Sequence, residues 1–401
     1  MRLLLLSFYY TPDLSAGSFR CSALVAALQK ELPNLQIDVL TTQPNRYNSG
    51  IEGVASSEHI GNVRIRRFTL PPHDSGMRDQ VWAFAAYARK VLRTIYSEKR
   101  SYDAVFATSS RLMTAGLGAF TARKLDLPLY LDIRDLFADT IKDVLPAQIA
   151  QTSRPFIRLL ERWTLRSAAR INIVSEGFAQ YVRTVAPCVE LRNFTNGIDE
   201  EFLKPLAATR RRQPNEPLLI VYAGNVGEGQ GLDLIIPEAA KRMDGRARFR
   251  IIGHGGRMRQ LKASLLVSDA HVECFAPVPR ADLHHHYEAA DILLIHLNDY
   301  AAFRKVLPSK IFEYAATGRP IVAGVAGFSA EFIRENVACA QVFAPCDVDG
   351  LVDAIEKLAD VEWPVDRVAF VKRFERRTVM AAMARDIHRF MYPCAQQMRK
   401  A

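Results

Sequence analysis

Apolar runs rich in β-branched residues alternate along the chain with amphipathic stretches, and Gly or Pro stands at most of the joints between them. This alternation predicts an α/β fold. In the first half we expect strands at residues 2–8, 36–41, 63–69, 103–107, 128–133, 171–175 and 188–192. Helices are predicted at 18–32, 77–98, 110–125, 154–169 and 176–185.

The second half repeats the rhythm. Strands are predicted at 218–223, 247–252, 271–275, 291–296, 320–324 and 339–343. Helices are predicted at 231–242, 256–267, 281–289, 308–317, 328–335 and 348–360, with two further helical stretches at 365–374 and 379–390. Several strands are continuous apolar runs, which is typical of parallel strands covered on both faces. The pattern therefore predicts two doubly wound, Rossmann-like parallel sheets.

The length of 401 residues, with 49% hydrophobic content, indicates two domains. The segment 204–217 is polar, basic and proline-bearing, as a linker is. We therefore predict a first domain at 1–199, a second at 200–370, and a C-terminal helix at 371–401 that packs back towards the first domain.

The charge is concentrated in the first half of the chain. Residues 1–198 hold 25 Lys and Arg against 17 Asp and Glu, and residues 199–401 hold 28 against 26. The first half should thus meet an anionic partner, for which nucleic acid, acidic lipid headgroups and a diphosphate-linked acceptor are all candidates. No recognition motif supports nucleic acid. Six scattered Cys favour a reducing cytosol, without disulfides or structural zinc.

Two glycine-bearing loops follow predicted strands, where ligands bind in open parallel sheets. Gly17 precedes a helix after the first strand, and its amide could meet a phosphate; the alternative is a turn glycine, with Arg20 as a solvated helix residue. Gly224, Asn225 and Gly227 belong to a loop with four Gly in eight positions, which suits close approach to a diphosphate or, alternatively, packing alone.

The segment 307–323 contains a short predicted helix that starts near Ser309 and ends at Gly318. Lys310 and Glu313 share one face of this helix near its positive end. The Lys could hold a diphosphate and the carboxylate could accept two ribose hydroxyls. The alternative is an i, i+3 surface ion pair.

At this segment the chain resembles the retaining GT-B glycosyltransferases of the family-four type. The motif P-S-K-x-x-E-Y-x-A-x-G-x-P-I-x-A occurs together with Y-A-G-N-V-G, I-I-G-H-G-G and N-G-I-D, in family order over nearly the whole chain. Arg134-Asp135-Leu136-Phe137 resembles the R-D-L-[W/F] motif of the branch that makes bacterial surface polysaccharides and antigens. The resemblance implies a GT-B fold, in which an acceptor domain and a nucleotide-sugar domain face a cleft.

The resemblance also implies roles for single residues. Glu313 would bind the ribose, Lys310 and Ser309 would lie on the donor side, and Gly17 would meet the phosphate. Gly224, Asn225 and Gly227 would face the donor. Two positions depart from the family pattern: Lys305 replaces a sugar-contacting Glu, and Gln230 replaces a Lys. Arg304, Lys305 and Arg257 are the candidate substitutes.

Arg134 and Asp135 end a predicted strand, and we assign them with Lys310 to catalysis; a structural Asp–Arg pair is the alternative. The expected reaction moves a sugar, such as an N-acetylated aminosugar, from a UDP-linked donor to a lipid-linked or glycan acceptor with retention, without metal or cofactor. The His284-His285-His286 run does not change the metal prediction, because adjacent helical residues point apart. A nucleotide-sugar 2-epimerase and a catalytically silent GT-B partner subunit stay open as alternatives.

Two predicted helices suit a membrane surface. On a helix at 154–170, Arg recurs every four residues beside apolar side chains, at Arg154, Arg158, Arg162, Arg166 and Arg170. Helix 77–98 mixes aromatic and basic residues, among them Trp82 and Arg89. The alternative is solvated arginines over a packed face. No stretch of about 18 apolar residues occurs, so we expect a cytoplasmic protein with peripheral contact at the inner face of the cell membrane.

Overall fold

The computed structural model describes residues 1–13, 15–44, 53–71, 77–109, 112–136, 147–203 and 216–398. It divides into two compact units. The N-terminal unit comprises Met1–Asn196 and Arg377–Ala401, and the C-terminal unit comprises Gly197–Arg376. Most of the predicted linker and Phe137 lie outside the described residues.

The N-terminal unit is built on an eight-stranded sheet with the order β3-β4-β2-β1-β5-β6-β7-β8. Its strands are β1 (Arg2–Leu6), β2 (Gln36–Thr42), β3 (Ser57–Ile60), β4 (Val63–Phe68), β5 (Ala104–Thr108), β6 (Leu129–Ile133), β7 (Arg170–Ile173) and β8 (Glu190–Asn193). All neighbours pair in parallel except β3 and β4. The four central strands are almost wholly buried because helices cover the sheet.

Six helices of this unit lie within the described residues. They are α1 (Ala16–Glu31), α2 (Met77–Glu98), α3 (Leu112–Leu125), α4 (Ala147–Arg166), α5 (Ala179–Val185) and the last helix of the chain, Arg376–Met398, here α13. Met380, Met383 and Ile387 of α13 share one core cluster with Leu3 and Leu24. The last helix is therefore part of the N-terminal core.

The C-terminal unit is built on a six-stranded, all-parallel sheet with the order β11-β10-β9-β12-β13-β14. Its strands are β9 (Leu218–Ala223), β10 (Ala247–Ile252), β11 (Val272–Phe275), β12 (Ile292–His296), β13 (Ile321–Gly324) and β14 (Ala340–Phe343). Renumbered within the unit, this order is 3-2-1-4-5-6, the doubly wound arrangement of dinucleotide-binding folds. Apolar clusters fill both faces of the sheet.

The helices of this unit are α6 (Leu232–Arg242), α7 (Met258–Ser268), α8 (Arg280–Ala289), α9 (Lys310–Ala316), α10 (Phe328–Asn336), α11 (Val348–Leu358) and α12 (Val368–Phe374). The short α9 buries Ile311, Phe312, Tyr314 and Ala315. It ends before Gly318, whose φ of 71° is the left-handed conformation that Gly favours at a helix C-terminus. The two predicted parallel-sheet domains are thus confirmed.

One predicted element differs. The helix expected at 154–169 runs over Ala147–Arg166, and Arg170 begins strand β7 instead of continuing the helical arginine repeat. Arg170 donates to the buried carboxylate of Asp386 over 3.1 Å. This arginine stabilises α13 on the sheet, so it was wrong to count it in a solvent-facing stripe.

Candidate active site

The C-terminal unit has its topological switch point between β9 and β12, which lie side by side while their connections leave in opposite directions. In doubly wound sheets this is where ligands bind, beyond the carboxyl ends of the strands. The loop after β9 begins at Gly224, and the loop after β12 begins at Leu297. The predicted donor residues therefore start at the expected position in the fold.

The glycine-rich loop packs backbone to backbone against the loop after β10. Val226 N–H donates to His254 O over 3.0 Å, and Arg257 N–H donates to Val226 O over 2.9 Å. A Cβ at Gly253 would lie 1.8 Å from Gly224 O, and one at Gly255 would lie 2.3 Å from Val226 O. Gly253 and Gly255 are therefore needed for packing. Packing was the alternative role that we gave from the sequence to the glycines of the loop after β9.

The structure brings Lys310 and Gly224 together. A Cβ on Gly224 would lie 2.4 Å from Lys310 Cε and 3.3 Å from Nζ, so the lysine side chain crosses directly over the glycine. The ammonium lies 5.5 Å from the centre of the Tyr314 ring. Tyr314 Oη accepts from Ala223 N–H over 2.9 Å, which ties α9 to the end of β9. A positive charge is thus fixed beside the start of the loop.

Glu313 lies one turn from Lys310, but the two side chains form no ion pair in the part of the chain that is described. Its carboxylate instead accepts a hydrogen bond from Tyr287. Burial, together with the neighbouring Glu313 charge, raises the pKa of Tyr287 well above its ordinary value, so this phenol stays a donor. The carboxylate is half-buried and keeps acceptor capacity for a ligand. Ser309 occupies the N-cap position of α9.

Gln230 holds the glycine-rich loop in place, although from the sequence it was identified only as a departure from the family pattern. Its Oε1 accepts from Asn225 Nδ2 over 2.8 Å and from Gly227 N–H over 3.2 Å. Tyr222 Oη also donates to Asn225 O over 2.6 Å. The predicted residues Asn225 and Gly227 are thus joined in one hydrogen-bonded turn.

Two of the three candidate substitutes for the departures from the family pattern, Arg257 and Arg304, are engaged with carboxylates. Arg257 forms a charge-assisted pair with Glu228, which also accepts from Tyr300 Oη over 2.7 Å. Together these donors lower the pKa of Glu228. Arg304 donates to Asp299 over 3.0 Å. An incoming phosphate would have to compete with Glu228 for Arg257.

In the N-terminal unit, Gly17 is the buried second residue of α1, and the N-cap hydroxyl of Ser15 accepts from Ser18 N–H over 3.2 Å. Arg20 is not solvated, so that alternative was wrong. It is 2% exposed and forms a bidentate pair with the buried Asp132, at 2.9 and 3.0 Å. Although burial opposes ionisation, the charge and hydrogen bonds of Arg20 hold the pKa of Asp132 below its usual value.

Arg134 and Asp135 follow β6, as predicted. Arg134 N–H donates to Ser109 Oγ over 2.8 Å, which links the carboxyl ends of the neighbouring strands β6 and β5. Dense surroundings raise the pKa of the Asp135 carboxyl to about 6, against the opposing charge of Arg134. Because the Asp135 side chain is itself exposed, we expect water to screen part of this effect.

Two further findings concern the described residues only. No three His, Cys, Asp or Glu side chains among them lie close enough together to hold a metal ion. Likewise, none of the described helices is both long and apolar enough to cross a membrane.

Comparisons with known proteins bear on both units. The sequence profile of the Glycosyl transferase 4-like domain matches residues 20–190, and that of Glycosyl transferases group 1 matches residues 217–360. D-inositol 3-phosphate glycosyltransferase of Thermobifida fusca (strain YX) is 28% identical over 171 residues. That alignment covers 39% of this chain and 37% of that protein, so the chain is matched to little more than a third of the relative's length.

Solved structures share the fold. Sucrose-phosphate synthase of Thermosynechococcus elongatus superposes with a TM-score of 0.70 and 15% identity, covering 100% of this chain and 98% of that one. HepE of Anabaena, solved with UDP and glucose, superposes with a TM-score of 0.67 and 16% identity over 97% and 99% of the two chains. With a 4-like domain in its N-terminal half and a group 1 domain in its C-terminal half, the chain belongs to the GT-B glycosyltransferases.

Proposed function

We propose that this glycosyltransferase moves a sugar from a UDP-linked donor to a lipid-linked or glycan acceptor in bacterial surface polysaccharide synthesis. The proposed donor site is supported by the position of the Lys310 side chain across Gly224, with Glu313 one turn further along α9. HepE, whose solved complex holds UDP and glucose, supports the choice of nucleotide. WaaG, described as a glycosyltransferase of lipopolysaccharide biosynthesis, supports the choice of pathway.

In this proposal the C-terminal unit holds the donor. The Lys310 ammonium meets the diphosphate as charge develops on the leaving UDP, and Glu313 accepts from the ribose hydroxyls. Gly224, Asn225, Gly227, Ser309 and Arg257 line the donor side. From the N-terminal unit, Gly17 meets a phosphate, while Arg134 and Asp135 orient the acceptor or the transferred sugar.

The proposed chemistry retains the anomeric configuration and needs no metal. The bond between the anomeric carbon and the β-phosphate oxygen breaks, the bond to the acceptor oxygen forms on the same face, and the departing phosphate oxygen takes the acceptor proton. Catalysis then rests on positioning and on stabilising the diphosphate. The anomeric proton coupling of the product by NMR tests retention, and unchanged turnover in excess EDTA tests metal independence.

Glu313 gives the sharpest test of the donor site. We expect Glu313→Ala to weaken UDP binding by about 2 kcal/mol, because it removes a charged hydrogen-bond acceptor. Glu313→Gln keeps an acceptor for Tyr287 and separates loss of charge from loss of the hydrogen bond. Calorimetric titration with UDP is the measurement.

A matched control is Glu331→Ala, which removes an exposed glutamate from the neighbouring α10. Equal UDP affinity of the wild type and Glu313→Ala would end the ribose assignment. Thermal-shift screening of UDP, GDP, ADP and their sugars tests the base. Product analysis with donor alone tests for the epimerase, which finds no support in the relatives described above. Donor turnover with a membrane extract would exclude the silent-subunit alternative.

To reach a lipid-linked acceptor, the protein docks at the inner face of the cell membrane through α4. Phe156 and Leu159 are 68% and 66% exposed on this helix. Arg158 and Arg162 are exposed beside them, and the one acidic residue among 155–166, Glu161, is buried. Exposed apolar side chains flanked by exposed cations suit an anionic lipid surface. Trp82 of α2 is 73% exposed and suits the same headgroup layer.

We expect the variant F156S/L159S/R158Q/R162Q to lose about tenfold in binding to vesicles with anionic lipid, because it removes apolar insertion and two cationic contacts. Arg166 is kept because its Nε donates to Val185 O. Sedimentation with vesicles of phosphatidylglycerol and phosphatidylcholine is the measurement.

Helix α7 offers a matched control, since R259Q/K262Q/L266S/V267S removes the same charge and comparable exposed apolar area from the C-terminal unit. Equal loss in both variants, or no loss in either, would contradict docking through α4.

A further inference from the structure

His296 is the last residue of β12 and is 1% exposed. Its Nε2 accepts a hydrogen bond from Cys346 N–H over 2.9 Å. A backbone N–H can only donate, so the proton of the neutral ring must be on Nδ1. That nitrogen lies 2.6 Å from Gln230 O, a pure acceptor, and donates to it. Both partners therefore fix the same tautomer.

Packing leaves the imidazole no room to move. The ring stacks on Phe343, with centroids 6.0 Å apart and planes inclined by 20°. On the adjacent strand, a Cβ at Gly324 would lie 2.2 Å from His296 Cδ2. The residue at position 324 has to be Gly for the ring to occupy this place, so the direction of the Nδ1–H bond is set by the sheet.

The residue that His296 holds is the one that organises the donor loop. Gln230 is bound through its main-chain carbonyl by His296, while its side chain accepts from Asn225 Nδ2 and Gly227 N–H. The contact sequence therefore runs from β12, through His296 and Gln230, to two residues assigned to the donor side.

We propose that His296 is a positioning residue for the donor loop, which sets where Asn225 and Gly227 meet the nucleotide without touching it. The inference rests on the proposed function, since it concerns the same site. It assigns a role to a residue that no motif identified, and it explains why a polar ring is kept in an apolar strand, where each unpaired polar atom would be costly.

Two variants distinguish the role of Nδ1 from that of Nε2. An Asn amide reaches the place of Nδ1 and can still donate to Gln230 O, whereas a Gln amide extends to the place of Nε2 and loses that bond. We expect the UDP affinity of His296→Asn to lie within about twofold of the wild type. His296→Gln should bind UDP about tenfold more weakly, because it loses the buried hydrogen bond to Gln230 O that aligns the donor loop. In turnover, KM for the donor should rise in His296→Gln more than kcat falls.

Asp291→Ala is the matched control. Asp291 precedes the same strand at its opposite end, where its carboxylate accepts from Leu219 N–H over 2.7 Å. Urea titration should show that this variant is destabilised while UDP affinity is unchanged. Gly324→Ala gives an independent route, because it displaces the ring without removing its polar atoms, and it should weaken UDP binding as His296→Gln does.

Equal UDP affinity of the wild type, His296→Asn and His296→Gln would overturn the positioning role and leave the proposed function intact. A wild-type protein that binds no nucleotide diphosphate would overturn both.

Discussion

Buried ionisable side chains in this protein are satisfied by partners far away along the chain. Arg20 pairs with Asp132, Glu313 accepts from Tyr287, and His296 joins Gln230 to Cys346. Removing one member of such a set leaves the other buried without its partner, which costs more than the contact itself contributes. These residues therefore fix the geometry of the loops beside them.

His296 makes the stability of the C-terminal unit dependent on pH. Burial lowers the pKa of its ring to about 4, against 6.5 for an exposed His. As pH falls below 6.5 the unfolded chain binds a proton before the folded one does, so acid favours unfolding until about pH 4. Between about pH 7 and pH 5 we expect the wild type to lose about 2 kcal/mol through this group.

Urea unfolding at the two pH values measures this loss. His296→Asn lacks the titrating group and serves as the comparison, because the carboxylates common to both proteins cancel in the difference. A pH dependence that is identical in the two proteins would refute the assignment.

The sequence shows such residues only when their partners are close along the chain. Lys310 and Glu313 were predicted to share one helix face because three positions separate them, and the structure places both on α9. The partner of Arg20 is 112 positions away and that of His296 is 66 positions away, so neither contact leaves a local pattern. The i, i+3 ion pair failed to form because Tyr287 offers Glu313 a buried donor.

Among the elements, α13 depends on one buried carboxylate for its docking in the N-terminal unit. Asp386 is 1% exposed and accepts from Tyr130 Oη over 3.0 Å, Arg170 Nη1 over 3.1 Å and Arg192 Nε over 3.0 Å. Three strands of the sheet, β6, β7 and β8, thus meet one position of the helix.

We expect Asp386→Ala to lower the free energy of unfolding by about 2–3 kcal/mol, because it leaves the buried Tyr130 hydroxyl without its acceptor, whereas the two arginines keep Glu190. Chemical denaturation followed by circular dichroism is the measurement. Asp386→Asn should cost less, because it keeps an acceptor. Arg385→Ala, which removes an exposed contact to Glu31 from the same helix, is the control and should change stability by less than about 1 kcal/mol.

Apolar periodicity was sufficient to predict most strands and helices, because a strand buried on both faces must be apolar throughout. It was insufficient where burial does not impose the pattern. Strand β3 pairs at a sheet edge with largely exposed residues, so it leaves no apolar signal. Helix α4 begins at Ala147 and not at the predicted residue 154. Pro155 lies inside this helix, whereas a Pro in a sequence pattern usually indicates the first turn of a helix.

At the scale of the whole molecule, the chain passes between the units twice, and the passages meet within the C-terminal unit. Ile198 forms a parallel bridge with Glu375, and Ile198 N–H donates to Phe374 O over 2.7 Å. A Cβ at Gly197 would lie 2.4 Å from Arg376 Cα, so only Gly allows this approach. Asp199 pairs with Arg376 and Arg280, and these charges hold its pKa below the usual range despite burial.

We expect the fragment Gly197–Arg376 to fold alone and to bind UDP, because this contiguous unit contains both ends of the bridge, its own sheet and the donor residues. Circular dichroism, a cooperative urea transition and calorimetry with UDP are the measurements. The complementary fragment ending at Asn196 is the comparison: it lacks α13, and we expect it to aggregate. A fragment ending at Asn196 that unfolds as cooperatively as the full chain would contradict this.

Because α13 completes the core of the N-terminal unit, the ribosome makes one part of that unit before the C-terminal unit and the other part after it. The C-terminal unit can fold while synthesis continues. The core around Leu3 and Leu24 stays incomplete until Met380 and Ile387 have been made. The growing polypeptide therefore exposes apolar side chains of this core until α13 has been made, and a stop codon between the C-terminal unit and α13 would remove part of the core of the unit that is made first.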